Sequence, residues 1–234
     1  MQEFAASLAL AAHLVSAGDA RLAGIVSLSL GVSLGATLLA CALGMPLGAW
    51  LAIGRFPGRH TLIVAFNALM GLPSVVAGLF LYLLLSRAGP LGGLGLLFTP
   101  TAIVIAQTFL IAPLIVALTR QLIEDAWQEY REQLRSLGAR RTRAVATLLW
   151  DGRFSLSIVG LAGFGRAIAE VGAVMIVGGN IDGVTRVMTT TIALETSKGD
   201  LPLALALSLI LIALVMGVNL FAALLRAWAA RRWG

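Results

Sequence analysis

The sequence predicts an all-α integral membrane protein with five transmembrane helices, the N-terminus outside and the C-terminus inside the cell. Of the 234 residues, 59% are hydrophobic and 12% are charged, and the mean hydropathy is +0.95. A soluble domain of this length cannot bury so much apolar surface. The apolar residues form five runs of about 20 residues or more, the length that crosses a bilayer as a helix. Most of the basic residues lie between these runs, and their distribution predicts the orientation.

Before the first run, residues 1–23 lack the basic start of a signal peptide. Leu8, Ala11, Ala12 and Val15 share a helical face, so we expect a short interfacial helix there. Residues 24–234 are expected to form a single transmembrane domain. Lipid offers the backbone no hydrogen-bond partner, so the spans are predicted as helices, and no barrel-like alternation is present. The predicted spans are 24–53, 61–85, 99–118, 154–177 and 201–225.

The basic residues are unevenly divided between the two sides that these spans define. Twelve of the seventeen lie in the first loop, in the loop after the third span and in the C-terminal tail. Cytoplasmic loops of membrane proteins carry the excess of arginine and lysine. This distribution places segment 120–153 and the tail in the cytoplasm. On the opposite side, glycine-rich segment 87–98 is expected to turn irregularly, and 187–196 to form a short helix.

Segment 120–153 is a charged island between two apolar spans. From Glu124 to Trp150 it contains no proline, and Gly138 is its one glycine. Gly138 is therefore expected to bend the segment into two helices. The apolar side chains recur at a spacing that approximates one helical face: Trp127, Tyr130, Leu134, Leu137, Val145 and Leu148. Two interpretations are open, a solvated connector whose arginines enforce topology or a docking helix that enters a groove on a soluble partner.

Several stretches resemble a known family. EQLRSLGA, residues 132–139, resembles the cytoplasmic EAA loop of ABC importer permeases, with Glu132 and Gly138 at matching positions. Gln133 and Leu134 replace the two alanines of that pattern. GFGRAIAEVGAVMIVGGNI (163–181) is similar to the fourth span of molybdate- and tungstate-type permeases. GLPSVVAGL (71–79) resembles their second span, and TRVMTTTIALETSKGDLPLALALSLIL (185–211) resembles the tungstate branch.

The resemblance implies the type I ABC importer permease fold (MetI-like) in a bacterial or archaeal inner membrane. It implies a homodimer, two copies of a separate ABC ATPase, and an extracytoplasmic binding protein that delivers a tetrahedral oxyanion, tungstate first and molybdate next. Segment 120–153 would then be the coupling loop. Its expected ATPase-coupling residues are Glu129, Glu132, Leu134, Leu137, Gly138, Ala139 and Arg140.

The chain itself is not expected to be an enzyme. The phosphate-binding pattern GxxxxGK[ST] is absent, and the only lysine, Lys198, precedes Gly-Asp. ATP and Mg²⁺ are therefore expected on the partner ATPase, and no cofactor is expected in this chain. His13 and His60 fall on opposite sides, so no metal site is predicted. No nucleophile–base constellation is found in the sequence. The arginines lie in loops between apolar runs, which indicates contact with the membrane surface and not with nucleic acid.

Arg166 and Glu170 are two opposite charges within the predicted fourth span. Their i,i+4 spacing places them on one helical face, where they can pair. Charges at this depth usually face protein or water. Two interpretations are therefore open: a structural pair that neutralises itself, or a pair that lines the pathway. Because Glu170 balances Arg166, the anion is expected to be held weakly, with selectivity in the delivering protein. The other expected pathway or gate residues are Gly172, Asn180, Thr189 and Thr190.

Two other function classes make different predictions for the sequence. A self-sufficient secondary transporter or channel predicts unpaired intramembrane carboxylates, or broken helices in two related halves. An intramembrane enzyme predicts a catalytic pair or metal ligands at depth. The sequence shows only Arg166 and Glu170 at depth and no second half, which favours the ATP-driven permease.

Overall fold

The computed structural model describes residues 19–233, and within that range the regular structure is helical with no strand, which confirms the all-α prediction. In chain order the α-helices are α1 (Ala20–Ile53), α2 (Arg59–Met70), α3 (Ser74–Leu85), α4 (Pro100–Ser136), α5 (Arg141–Asp151), α6 (Arg153–Ile168), α7 (Gly172–Gly178), α8 (Met188–Lys198) and α9 (Leu201–Trp233). A short 3₁₀ turn, Gly92–Leu94, precedes α4.

Three helices in the described range are long and apolar enough to cross a membrane, namely α1, α4 and α9. Two further pairs satisfy the same criterion only when each bent pair is taken as one span. These are α2 with α3, bent by 105°, and α5 with α6, bent by 73°. The described chain thus has three to five candidate spans. The predicted fourth span corresponds to α6 followed by α7, with a break at 169–171.

The second span breaks where the sequence contains Gly71-Leu72-Pro73. Gly71 ends α2, and Pro73 precedes the first turn of α3. Proline has no N–H to donate, so it is tolerated at a helix start and disrupts a helix interior. Pro113 behaves differently, because α4 continues through it. Packing around α4 therefore overrides the local tendency to break.

The centre of the subunit is the packing of α1 against α4. Small residues on α1 allow close approach: a Cβ added to Gly44 would lie 3.0 Å from Ile115 Cγ2, and one on Gly48 would lie 2.6 Å from the Val116 oxygen. Small residues are the usual means by which membrane helices come together. Ala36 and Ala40 continue this contact toward the other end of α1.

The contacts sort the loops into two ends. At one end Arg59 meets Glu124 at 3.1 Å, and the rings of Phe154 and Trp228 lie 5.4 Å apart. The first loop, the charged segment and the tail therefore share one end, as the distribution of arginines predicts. At the other end Arg21 meets Asp182 at 3.3 Å, and the Phe98 N–H donates to the Val177 oxygen at 2.9 Å.

The boundaries of the first helix differ from the prediction. Residues 20–23, assigned above to an interfacial helix, form the first turn of α1. Asp19 caps this helix, its carboxylate accepting from the N–H groups of Arg21 at 2.8 Å and Leu22 at 3.0 Å. Such a cap satisfies donors that the helix start leaves free. The rest of the predicted interfacial helix, residues 1–18, lies outside the described residues.

Helix α4 extends 18 residues beyond the predicted end of its span, to Ser136. The first half of the charged segment is thus a continuation of a membrane helix and not a separate short helix. Hydropathy reports where the lipid ends, whereas the helix ends only at a breaker, here Gly138.

Candidate functional site

The fourth span is interrupted at 169–171, and three side chains satisfy the backbone groups near the break. Gln107 on α4 donates through Nε2 to the Ala167 oxygen at 3.0 Å. Thr189 on α8 donates to the Glu170 oxygen at 2.7 Å, and Glu170 Oε1 accepts from the Ala173 N–H at 3.3 Å. Irregular backbone at membrane depth is tolerated only when protein or water meets its polar groups. The break is therefore built into the fold.

Arg166 and Glu170 form an ion pair across this break. The Nη1–Oε2 distance is 2.6 Å, with Arg166 in the last turn of α6 and Glu170 just after it. The Glu170 side chain is 4% exposed and that of Arg166 is 46% exposed. One edge of the guanidinium neutralises a buried carboxylate while the rest of the group stays at the subunit surface. The site thus presents a partly neutralised positive charge.

The breaks of the two interrupted spans lie side by side. A Cβ on Gly172, the first residue of α7, would lie 2.8 Å from Ser74 Oγ and 2.9 Å from Val75 Cγ2 on α3. One on Gly78 would lie 2.7 Å from the Ala173 Cα. The first turns of α3 and α7 thus pack together without space for larger side chains. We call this region, residues 71–78 and 166–173, the broken-span junction.

Thr189 and Thr190 lie in α8, where a short helix over 187–196 is predicted, and Asn180 lies before that helix. Thr189 and Thr190 are buried, and Thr190 Oγ1 accepts from the Val187 N–H at 3.2 Å at the start of α8. Asn180 adopts φ +50° and donates through Nδ2 to the Thr190 oxygen at 3.5 Å. Threonine hydroxyls bond readily to nearby backbone, which lets them enter the interior. Their part in the pathway stays a prediction.

At the other end of the bundle, residues 129–140 end α4 and turn toward α5. We call them the docking segment after the ATPase contact that the sequence leads us to expect there. Leu137 ends the helix, Gly138 has φ +69°, and the Ala139 N–H donates to the Leu134 oxygen at 3.0 Å. A left-handed residue with these bonds is a common helix stop, and glycine adopts it without strain. Arg140 then caps α5 in an extended conformation. The predicted bend at Gly138 is therefore present.

The apolar face of the charged segment divides into two parts. Trp127, Leu134, Val145 and Leu148 pack inward with the end of α1. Three large side chains point outward instead: Tyr130, Trp150 and, at 81% exposure, Leu137. The exposed carboxylates of Glu129 and Glu132 lie on the same stretch. A hydrogen bond with Glu129, together with the negative charge of that carboxylate, raises the pKa of the Tyr130 hydroxyl above its ordinary value.

Comparison with known proteins identifies the family. Residues 44–234 match the family described as "Binding-protein-dependent transport system inner membrane component". The chain belongs to this family. It is a multi-pass inner-membrane permease subunit of an ABC transporter, and ATP hydrolysis belongs to a separate ATPase. Its partners in this class are that ATPase and a substrate-binding protein.

Two relatives are similar along nearly the whole chain, and a third is similar along somewhat less than two thirds of it. The tungstate uptake system permease protein TupB of Peptoclostridium acidaminophilum is 40% identical over 94% of this chain and 96% of that protein. A probable anion ABC transporter permease protein of Haloferax volcanii is 39% identical over 89% and 94%, respectively. TupB of Campylobacter jejuni is 43% identical over 64% and 63%. The resemblance to oxyanion permeases noted from the sequence is confirmed.

Four functional candidates of the permease were missed from the sequence. Gln107 is a lone amide between apolar residues of α4, and its position at membrane depth is the signal that marks it. Its Oε1 is buried without a partner among the described residues. Arg59, Arg120 and Glu124 form an ion-pair network, and no sequence spacing joins Arg59 to the other two. Within residues 19–233, no group of three potential metal ligands comes together.

Proposed function

We propose that the permease conducts a tetrahedral oxyanion into the cell, tungstate first and molybdate next, driven by its ATPase. The observation that carries this proposal is the half-exposed Arg166 guanidinium, paired with buried Glu170 at the broken-span junction. It attracts an anion while Glu170 limits how tightly the anion is held, as conduction requires. The two TupB relatives are permeases of tungstate uptake systems, which supports the choice of tungstate.

The proposed topology has five spans, with the N-terminus outside and the docking segment in the cytoplasm. Two of these spans are interrupted: α2 and α3 form the second, and α6 and α7 form the fourth. Helix α5, which pairs with α6 by length and composition, is assigned in this topology to cytoplasmic segment 120–153. Support comes from the end of the bundle that holds Arg59, the charged segment and the tail, which carries most of the arginines. Cytoplasmic excess of positive charge is the usual determinant of orientation.

The proposed seat of the ATPase is the docking segment. Exposed Leu137 enters the ATPase groove, and Gly138 sets the angle at which it is presented. Glu129, Glu132 and Arg140 form the polar rim. Leu134 and Ala139 act indirectly, by holding the turn against the subunit. An apolar anchor with a polar rim is the common form of a helix-in-groove contact.

The proposed assembly is a homodimer with two ATPase copies and one binding protein on the outer end. The exposure of α2 is an argument for a second subunit, because none of the residues of this helix is buried within its own subunit. It also exposes Asn67, whose amide has no partner among the described residues. A bare amide facing lipid is costly, so we infer that this face meets protein or a water-lined path.

The proposed gate is the broken-span junction. Gly172 allows α3 and α7 to remain in contact, and Thr189 holds the outer segment against the break at the Glu170 oxygen. Asn180 and Thr190 bond to each other within that outer segment and so keep its shape. ATP and Mg²⁺ are proposed to bind the ATPase alone, and this chain is proposed to need no cofactor of its own.

The test is uptake into proteoliposomes that contain the permease, its ATPase and its binding protein. We expect ATP-dependent uptake of tungstate, weaker uptake of molybdate, and none when the ATPase is omitted. Sulfate serves as the competing oxyanion. Uptake driven by an ion gradient without the ATPase would show a secondary transporter instead.

A further inference from the structure

An ion-pair network ties the docking end of the subunit together. Glu124 lies between Arg59 and Arg120: its Oε1 is 3.1 Å from Arg59 Nη2, and its Oε2 accepts from Arg120 Nη1. The side chains of Arg59, Glu124 and Arg120 are 28%, 31% and 20% exposed. Ion pairs that are this buried are less screened than pairs on an open surface.

Arg59 also binds the end of α1. Its Nε donates to the Leu51 oxygen at 2.6 Å and its Nη2 to the Ala52 oxygen at 3.2 Å. The last carbonyls of a helix have no partner within the helix, and a cation there is favourable. Arg59 is the first residue of α2, so one guanidinium joins α1, α2 and α4.

The rest of α2 packs against α4 and stays at the surface of the subunit. None of its residues is buried, and its far end is the break at Gly71–Pro73. By contrast, α1 and α4 are in tight contact beside the network, since a Cβ on Gly48 would lie 2.6 Å from the Val116 oxygen and 3.1 Å from the Arg120 nitrogen. The α1–α4 pair is therefore rigid beside the network, and the ion pair of Arg59 with Glu124 adds a charged link to the packing of α2 against α4.

The docking segment lies on the same helix as Glu124. Helix α4 runs without interruption from Glu124 to Ser136, so a displacement at Leu137 moves Glu124 with it. We propose that Glu124, held between Arg59 and Arg120, is a positioning residue that passes movement of the docking segment to α2 and so to the broken-span junction. This inference rests on the proposed function as an ATP-driven permease.

The test measures tungstate taken up per ATP hydrolysed by the complete complex in proteoliposomes. Glu124→Gln keeps the shape and removes the charge. We expect it to retain ATPase binding and hydrolysis while uptake per ATP falls about tenfold, the size of a typical coupling between sites. Asp125→Asn is the matched control, because Asp125 is the exposed neighbour on the same helix and makes no ion pair among the described residues. It is expected to keep the wild-type ratio.

Arg59→Gln is a second variant, in which the same ratio of tungstate uptake to ATP hydrolysis is measured if Glu124→Gln does not assemble. Combining the two is expected to lower the ratio by less than the two single effects together, since both variants remove the ion pair of Arg59 with Glu124. A wild-type ratio in assembled Glu124→Gln overturns the inference. So does a fall in uptake that only matches a fall in assembled complex, which indicates a purely structural role. Failure of the wild-type complex to take up anion with ATP rejects the proposed function itself.

Discussion

Gly138 shows how one residue sets the direction of the docking segment. Its φ of +69° lies in the left-handed region, and nothing lies within 4 Å of the place a Cβ would occupy. A substitution there therefore strains the backbone without any clash. The strain is about 1–2 kcal/mol for most residues and less for asparagine.

We accordingly expect Gly138→Leu to reduce the amount of ATPase that co-purifies with the permease, while membrane insertion is unchanged. Gly138→Asn is the control and is expected to retain the ATPase. Leu137→Asp removes the exposed apolar side chain and is expected to act like Gly138→Leu. If all three variants recover as much ATPase as the wild-type permease does, docking at this segment is rejected.

Glu170 carries the second prediction at the residue scale. Glu170→Ala leaves the Arg166 guanidinium and the Ala173 N–H without their carboxylate. Loss of a buried partner costs about 1–3 kcal/mol, so we expect a lower melting temperature of the purified permease and reduced uptake. Adding Arg166→Ala should restore part of the stability, because the unpaired charge is then gone. Normal expression and full transport by Glu170→Ala alone would show that the pair is not required.

Among the helices, the two interrupted spans show what a sequence can and cannot reveal. The break between α2 and α3 is marked by Gly71 and Pro73, whose effects on the backbone are local. The break at 169–171 has no such marker, because it depends on Gln107 and Thr189 from distant helices. Hydropathy located the apolar runs well, since it measures transfer to lipid. It does not report tertiary hydrogen bonds.

The same distinction applies to the candidate site. The bend at Gly138 and the ion pair of Arg166 with Glu170 follow from local spacing, and both are present. The inward packing of Leu134 was not predictable, because an amphipathic face does not show whether its own subunit or a partner covers it. The burial of Thr190 was missed for a related reason, since its partner is the backbone of its own helix start.

Contact between α3 and α7 leads to a prediction about helix packing. A Cβ added to Gly78 would lie 2.7 Å from the Ala173 Cα. A Cβ added to Gly165 would have no atom within 4 Å. Gly78→Ala must therefore push the two helices apart, and overpacking of this kind costs about 1–3 kcal/mol. We expect a lower melting temperature for Gly78→Ala and no loss for Gly165→Ala. Equal melting temperatures would contradict the close approach at the junction.

For the whole molecule, the two ends of the bundle must face different compartments if ATP is to drive import. The docking segment with Leu137 lies at the end that carries most of the arginines, and Asp182 lies at the other end. Because Cys41 is the only cysteine, a Cys41→Ser background allows single sites to be labelled.

In that background we expect Asp182→Cys to react with a membrane-impermeant maleimide in intact cells, because its side chain is exposed and the proposed topology places it outside the cell. Leu137→Cys is expected to react only in inverted vesicles, where the cytoplasmic face is accessible. Detergent-solubilised protein, in which both sites react, controls for local reactivity. The reverse pattern would place the docking segment outside the cell, where no ATP-hydrolysing partner can act on it, and the proposed mechanism of import would have to be abandoned.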